Sequence, residues 1–291
     1  MSLLKEKLDK GEFVVTSEIG PPKGVDIKEC LAEAEHLKGR VAAINVTDNQ
    51  SAVMRFGSLA ACALLKEKDM EPVFQMVTRD RNRLALQSDL LSAYTLGVEN
   101  VLCLTGDHPV LGDHPQAKPV YDLDSVQLLQ AAKGLNEGKD MVGNPLESSP
   151  SFFLGAVVTP GAEPLEPQII KMEKKVQAGA RFFQTQAVYQ ADRFADFMDK
   201  VKHLKVPVLA GIVLLKSAGM AKFMNKNVAG VNVPEDLIDE MSSVSKEDRP
   251  KKSIEIAARL IKQLKPLCQG VHIMPLGWDK YVPQLLDELG L

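Results

Sequence analysis

The sequence predicts an α/β protein, a closed (β/α)8 TIM barrel forming a single domain. Eight short apolar runs with strand character alternate with amphipathic segments of helical spacing along the chain. The length of 291 residues suits one such barrel, which commonly runs to about 250 residues. The first run leads into Gly20-Pro21-Pro22-Lys23-Gly24 rather than into a GxGxxG opening a helix. That argues against the open dinucleotide-binding sheet, the other architecture in which strands and helices alternate.

The strands are expected at residues 13–18, 42–47, 72–77, 100–104, 152–158, 181–186, 207–214 and 271–275, each a Val/Ile/Leu/Phe-rich run of the kind buried in parallel sheets. Helices are expected at 27–38, where Leu31, Ala34 and Leu37 share a face, and at 54–68, 80–96, 125–135, 167–178, 191–203, 253–264 and 280–289. Three connections are long: 107–123 and 135–151, rich in Gly, Pro and Asp, and 229–249, which carries an extra helix at 234–242. Connections of this length on a barrel are usually functional or covering elements. The expectation is one domain over 1–291 with a helical insertion near 229–249, and no internal repeat or linker is visible.

Composition narrows the function classes. Hydrophobic residues make up 45% and charged residues 25%, as in globular proteins, and the net charge of -3 offers no basic surface for nucleic acid or anionic membrane. No apolar stretch approaches the roughly 20 residues of a membrane span. The opening MSLLKEKLDKGEF is charged and amphipathic, without a signal-peptide core, so a cytoplasmic location is expected. Cys30, Cys62, Cys103 and Cys268 are widely spaced, with no CxxC and no cluster of histidines, so no metal site is expected.

In such a barrel the strand ends share one face, where catalysis belongs. Glu18 closes the first strand, and an acid in an apolar strand end can act as a general acid or can be a surface glutamate. Asp107 follows Gly106 after VLCLT, either in the site or as a turn-forming aspartate. Gln186 ends FFQTQ, on the same strand face as Gln184, where an amide can grip a pterin-like ring with donor and acceptor together. Lys216 follows GIVLL and suits a Schiff base or an anion contact. His108 and His114 lie in the loop after strand four.

These motifs, in this order, resemble the methylenetetrahydrofolate reductase family: TSEIGPP at 16–22, NVTDN at 45–49, LTGDHP at 104–109, KKVQAGARFFQTQAVY at 174–189 and PVLAGI at 207–212. The resemblance is collinear over nearly the whole chain. It implies an FAD-dependent barrel that reduces 5,10-methylenetetrahydrofolate to 5-methyltetrahydrofolate in one-carbon metabolism and methionine biosynthesis. It also implies a catalytic set of Glu18 as the ring-opening acid, Asp107 beside flavin and pterin, and Gln186 on the folate. Thr47, Gln75, Thr105, Gly106, Asp107, Tyr121, Asp122, Gln168 and Lys175 fall at positions that contact FAD in relatives.

The chain departs from the family at two of these places and at one more, after the seventh strand. Gln75 stands where many relatives have histidine and Thr105 where many have arginine, and Ala218 replaces an aromatic that NADH-using relatives often carry. The electron source implied is NAD(P)H or an iron–sulfur partner subunit, and a homo-oligomer is left open. Two other readings of the residues stand beside this one, a Schiff-base lyase using Lys216 and a non-catalytic flavin- or folate-binding subunit of a complex.

Overall fold

In a computed structural model describing residues 2–291, eight parallel strands close into one barrel in the order β1-β2-β3-β4-β5-β6-β7-β8. They are β1 (Val14–Ile19), β2 (Ala43–Val46), β3 (Pro72–Val77), β4 (Asn100–Leu104), β5 (Phe153–Val158), β6 (Phe182–Ala187), β7 (Val208–Val213) and β8 (Gly270–Met274). Every expected strand is present, with ends shifted by a few residues at most. The seam is made by β1 pairing β8, Val14 opposite Gly270 through Ser17 opposite Ile273.

Around the barrel run α2 (Lys28–Glu35), α3 (Ser58–Lys66), α4 (Arg83–Thr95), α5 (Ser125–Asn136), α6 (Glu166–Gln177), α7 (Ala191–Val201), α8 (Ala218–Asn227), α10 (Arg249–Leu264) and α11 (Val282–Leu289). Helix starts are set locally. Asn82 accepts from the amides of Leu84 and Ala85, both at 3.1 Å, so α4 begins at Arg83. Asp124 and Gln127 form a reciprocal capping box that opens α5. Outward strand residues such as Val15, Ile44, Phe74 and Phe183 pack under these helices as the main core.

The insertion holds α9 (Glu235–Ser242), as expected. Two helices lie outside the expected set. α8 follows Ser217, whose hydroxyl accepts from Met220 N–H at 3.1 Å. It packs with α9 and α10 into a satellite core through Ala221, Met224, Ile238 and Leu260. The other is α1 (Leu3–Asp9), whose Leu4 and Leu8 belong to the apolar cluster formed by Val14, Val73, Leu102, Phe153, Phe182 and Leu209 from the amino-terminal ends of six strands. α1 is therefore the floor of the barrel.

The barrel interior changes character along its axis. Above the floor, the rings of Phe153 and Phe182 stack at 4.9 Å. Gly155 makes room for them, since a Cβ there would lie 2.2 Å from Phe182 Cζ. The next inward residues are polar: Thr16, Asn45, Gln184 and His272, all buried. Asn45 Nδ2 donates to Gln184 Oε1 at 2.7 Å, and Gln184 Nε2 donates to Thr16 Oγ1 at 3.1 Å. Thr16 Oγ1 lies 3.0 Å from His272 Nδ1. Polar groups are tolerated at this depth because each finds a partner.

Candidate active site at the carboxyl-terminal mouth

Inward parity on β1 places Glu18 directly above this polar layer. It is buried at 7% exposure, and its Oε2 stands 3.6 Å from His272 Nε2. One strand thus carries Thr16 and Glu18 two residues apart, and β8 returns beside it with a histidine that touches both. The His272 ring thus stands between the acid and the hydrogen-bonded frame of Thr16, Asn45 and Gln184.

The ends of β2 to β5 form a cleft of about 360 Å³. Gln75, Thr105, Gly106, Asp107, Gln168 and Lys175 all line it. Thr105 also lines a neighbouring open groove with Tyr121, Asp124 and Lys174, so the two are continuous at that residue. The turn after β4 is shaped by Gly106 at φ 86, in the left-handed region, with Val77 Cβ only 3.0 Å from where a Cβ would sit. Its carbonyl accepts from Tyr121 Oη at 3.3 Å.

Two buried cations serve this half of the mouth. The Lys175 ammonium donates to Val157 O at 2.6 Å, and burial, reinforced by the charge of Lys171, pulls its pKa down to about 8. Arg79 pairs in two-pronged fashion with Asp80 and reaches the carbonyls of Asp107 at 3.1 Å and Asn49 at 3.3 Å. Its hydrogen bond to Asp80 is the main reason its pKa is raised. Arg79 therefore ties together the turns after β2, β3 and β4.

The remaining expected residues are dispersed. Thr47 is buried at the end of β2, and its Oγ1 has no hydrogen-bond partner among the described residues. Gln186 is half-buried on β6, where its Oε1 accepts from Ala187 N–H at 2.9 Å beside a shift in the β6–β7 register. Asp122 lies outside the cleft lining, with its carboxylate held by the Arg83 guanidinium at 2.8 Å. That hydrogen bond lowers the Asp122 pKa to about 2. The side chain thus anchors the loop to α4. Lys216 donates to Leu276 O and lies 5.5 Å from the Trp278 ring centre, away from the cleft.

Asp48 braces the rim, accepting from Val77 N–H at 2.9 Å and from Arg81 Nη1 at 2.7 Å. Arg79 and the layer of Thr16, Asn45 and His272 went unassigned by sequence reasoning. A signal was present, because polar residues stand two before each mouth residue: Thr16 before Glu18, Asn45 before Thr47, Gln184 before Gln186. No group of three His, Cys, Asp or Glu capable of holding a metal occurs among the described residues, and no helix among them is long and apolar enough to cross a membrane.

The residues fit a flavin dinucleotide on their donor chemistry. Lys175 and Lys171 suit a diphosphate, Gln75 and Gln168 suit the edge of a heterocycle, and the unpartnered Thr47 hydroxyl is a buried hydrogen-bonding group left for a ligand.

Comparison with known proteins adds findings of three kinds. The family model described as Methylenetetrahydrofolate reductase matches residues 3–290. Methylenetetrahydrofolate reductase 2 of Schizosaccharomyces pombe is 22% identical over 99% of this chain and 47% of its own length. Methylenetetrahydrofolate reductase (NADH) 1 of Arabidopsis thaliana is 27% identical over 67% of this chain and 34% of its own length, so the chain spans less than half of either relative. Among solved structures, an uncharacterized protein from Clostridium thermocellum that binds two copies of 5-methyl-5,6,7,8-tetrahydrofolic acid superposes with a TM-score of 0.65. It shares 16% identity over the full length of both chains. A 2,3-dimethylmalate lyase superposes at 0.55 with 12% identity, covering 99% of this chain and 86% of its own, so the barrel is common to different chemistries.

Proposed function

The chain belongs to the methylenetetrahydrofolate reductase family, and on that premise we propose that its barrel mouth reduces 5,10-methylenetetrahydrofolate to 5-methyltetrahydrofolate with bound FAD. The observation that carries the reading is Glu18, buried at the mouth and held 3.6 Å from a histidine that is itself fixed by the polar layer. When bound, the flavin supplies the hydride.

The chain's own residues do the rest. Lys175, Lys171, Thr105, Gly106, Tyr121, Gln75 and Gln168 would hold the cofactor across the cleft and groove, with Thr47 offering its hydroxyl and Asp122 supporting the loop. Glu18 gives a proton to the folate nitrogen that leaves when the five-membered ring opens, producing the N5-iminium that accepts hydride. Asp107 stabilises that developing positive charge. Gln186, whose Oε1 is occupied by Ala187 N–H, offers its amide NH₂ to the pterin. The electron source is NAD(P)H or an iron–sulfur partner subunit, and the setting is cytoplasmic one-carbon metabolism.

The test is to reconstitute purified protein with FAD and assay methylene- and methyltetrahydrofolate against NADH, NADPH and reduced viologen in parallel. A yellow protein with folate-dependent turnover is expected. Failure to retain flavin, with no turnover from any donor, would overturn the reading. Activity with viologen alone would identify a partner-fed enzyme.

Two smaller effects follow. Asp107→Asn is expected to raise the flavin midpoint potential, because a negative charge near the ring is removed, and to slow folate reduction about tenfold. A potentiometric titration identical to that of the unaltered protein would place Asp107 away from the ring. Lys216→Met is expected to change turnover by no more than about threefold, since its ammonium serves the Leu276 carbonyl, whereas a Schiff-base lyase would lose all activity.

A further inference from the structure

His272, beneath Glu18, has no task in the steps above. It is buried inside the barrel. The β1–β8 seam sets its place: Thr16 stands opposite His272 in the register, and the Ser17 hydroxyl donates to Ile273 O at 3.1 Å. Both ring nitrogens have polar neighbours. Nδ1 lies 3.0 Å from Thr16 Oγ1 and 3.3 Å from Gln184 Nε2, and Nε2 stands 3.6 Å from Glu18 Oε2.

The neighbours of Nδ1 decide where the ring carries its proton. Gln184 and Asn45 form a reciprocal amide pair, in which Asn45 Nδ2 donates to Gln184 Oε1 at 2.7 Å and Gln184 Nε2 donates back to Asn45 Oδ1 at 3.1 Å. The pair turns the Gln184 NH₂ towards Thr16 and His272, and an NH₂ can only donate. Thr16 Oγ1 accepts from it at 3.1 Å, which leaves the Thr16 hydroxyl proton for Nδ1. Nδ1 is therefore an acceptor faced by two donors. The ring proton is assigned by these partners to Nε2, the nitrogen that faces Glu18.

We propose that His272 is a positioning residue: the polar layer holds its ring proton on Nε2, so that an N–H faces one oxygen of Glu18 and the transferable proton of the acid sits on the other. This rests on the reading of Glu18 as the ring-opening acid. The ring does not relay a proton onward, because Nδ1 is held as an acceptor by Thr16 and Gln184. At 3.6 Å the N–H is a charge–dipole contact rather than a hydrogen bond. It is weak towards the neutral acid. It gains strength as the proton passes from the Glu18 oxygen to the folate nitrogen and a carboxylate is left behind. One proton from solvent restores the acid before the next turnover.

The primary test needs neither flavin nor folate. Long-range proton–nitrogen correlation spectra of the isotope-labelled full chain are expected to show His272 with a pyrrole-type Nε2 and a pyridine-type Nδ1, identified by their loss in His272→Asn. A protonated Nδ1 would mean that Asn45 and Gln184 are turned over together and that a bare nitrogen faces Glu18. That result, or a mixture of the two tautomers, would overturn the proposal. Thr16→Val keeps the shape of the side chain and removes its hydroxyl, so the Nδ1 signal should move. An unmoved signal would also overturn it.

Kinetics separates positioning from scaffolding. His272→Asn keeps a carbonyl that can accept from Thr16 and removes the N–H that faces Glu18. Folate-dependent reoxidation of the flavin should slow about tenfold in this variant, with KM for folate and flavin reduction by the donor unchanged. His272→Gln, long enough to return an amide N–H to that place, should recover part of the rate. In a Glu18→Gln background, His272→Asn should cost nothing further, because the acid it serves is gone. A loss shared equally by both half-reactions, or one that adds fully to that of Glu18→Gln, would mean a structural role only. If Glu18→Gln itself still reduces folate, the assignment of the acid fails, while the nitrogen spectra show separately whether the layer sets the His272 tautomer.

Discussion

Glu18→Gln is expected to retain FAD and folate binding and to lose folate reduction by about 10²–10⁴-fold, the usual contribution of a positioned general acid. The substitution preserves size and hydrogen-bonding reach, so the frame of His272, Thr16, Gln184 and Asn45 has no steric reason to rearrange. What disappears is the transferable proton. The amide cannot protonate the folate nitrogen, and ring opening becomes the slow step. Flavin reduction by the electron donor needs no such proton and should proceed at its native rate. The comparison is made by anaerobic rapid mixing, following flavin reduction and folate-dependent reoxidation separately. Reoxidation near the native rate in the variant would show that the proton comes from elsewhere. Loss of both half-reactions together would point to a damaged cofactor site.

Leu4→Ala is expected to destabilise the fold by about 2–5 kcal/mol, the range for truncating a buried leucine that leaves a cavity. Leu4 is fully buried in the floor cluster. α1 has only seven residues, too few to be helical alone, so its order depends on docking. Ser2 caps it by accepting from Lys5 N–H at 3.1 Å, but the cap cannot replace the buried contact. Because the floor and the mouth lie at opposite ends of the barrel, kcat at low temperature should be nearly unchanged in the same variant. Urea unfolding with paired activity assays tests both statements. A loss below about 1 kcal/mol would mean that the floor closes without α1.

These two residues illustrate how differently the parts of the molecule could be read in advance. Glu18 was legible because it ends an apolar run, and barrel geometry collects such ends on one face. Leu4 was not. MSLLKEKLDKGEF carries too few apolar positions to distinguish a docked helix from a frayed end, and what it covers is assembled from six strands spread along the chain. α8 escaped for a related reason. Its partners Ile238 and Leu260 lie on helices formed later in the chain, so its own weak periodicity gave little sign of burial. Asp122 was singled out by the resemblance alone, and its ion pair with Arg83, which joins a loop to a helix start, was not legible in the sequence. His272, an isolated histidine in an apolar strand, acquires meaning only when β8 closes against β1.

By itself the amino-acid order determined the alternation of strand and helix, the barrel it implies and the set of polar residues at strand ends, because periodicity and strand-end chemistry are local properties. Only the closed barrel decided which of those residues meet. Closing the β1–β8 seam sets Glu18 against His272, while the loop after β8 buries Asp279 without a hydrogen-bond partner for its Oδ1 among the described residues. Distances and desolvation between groups more than 250 positions apart arise from tertiary packing, and proton affinities at such a site depend on both.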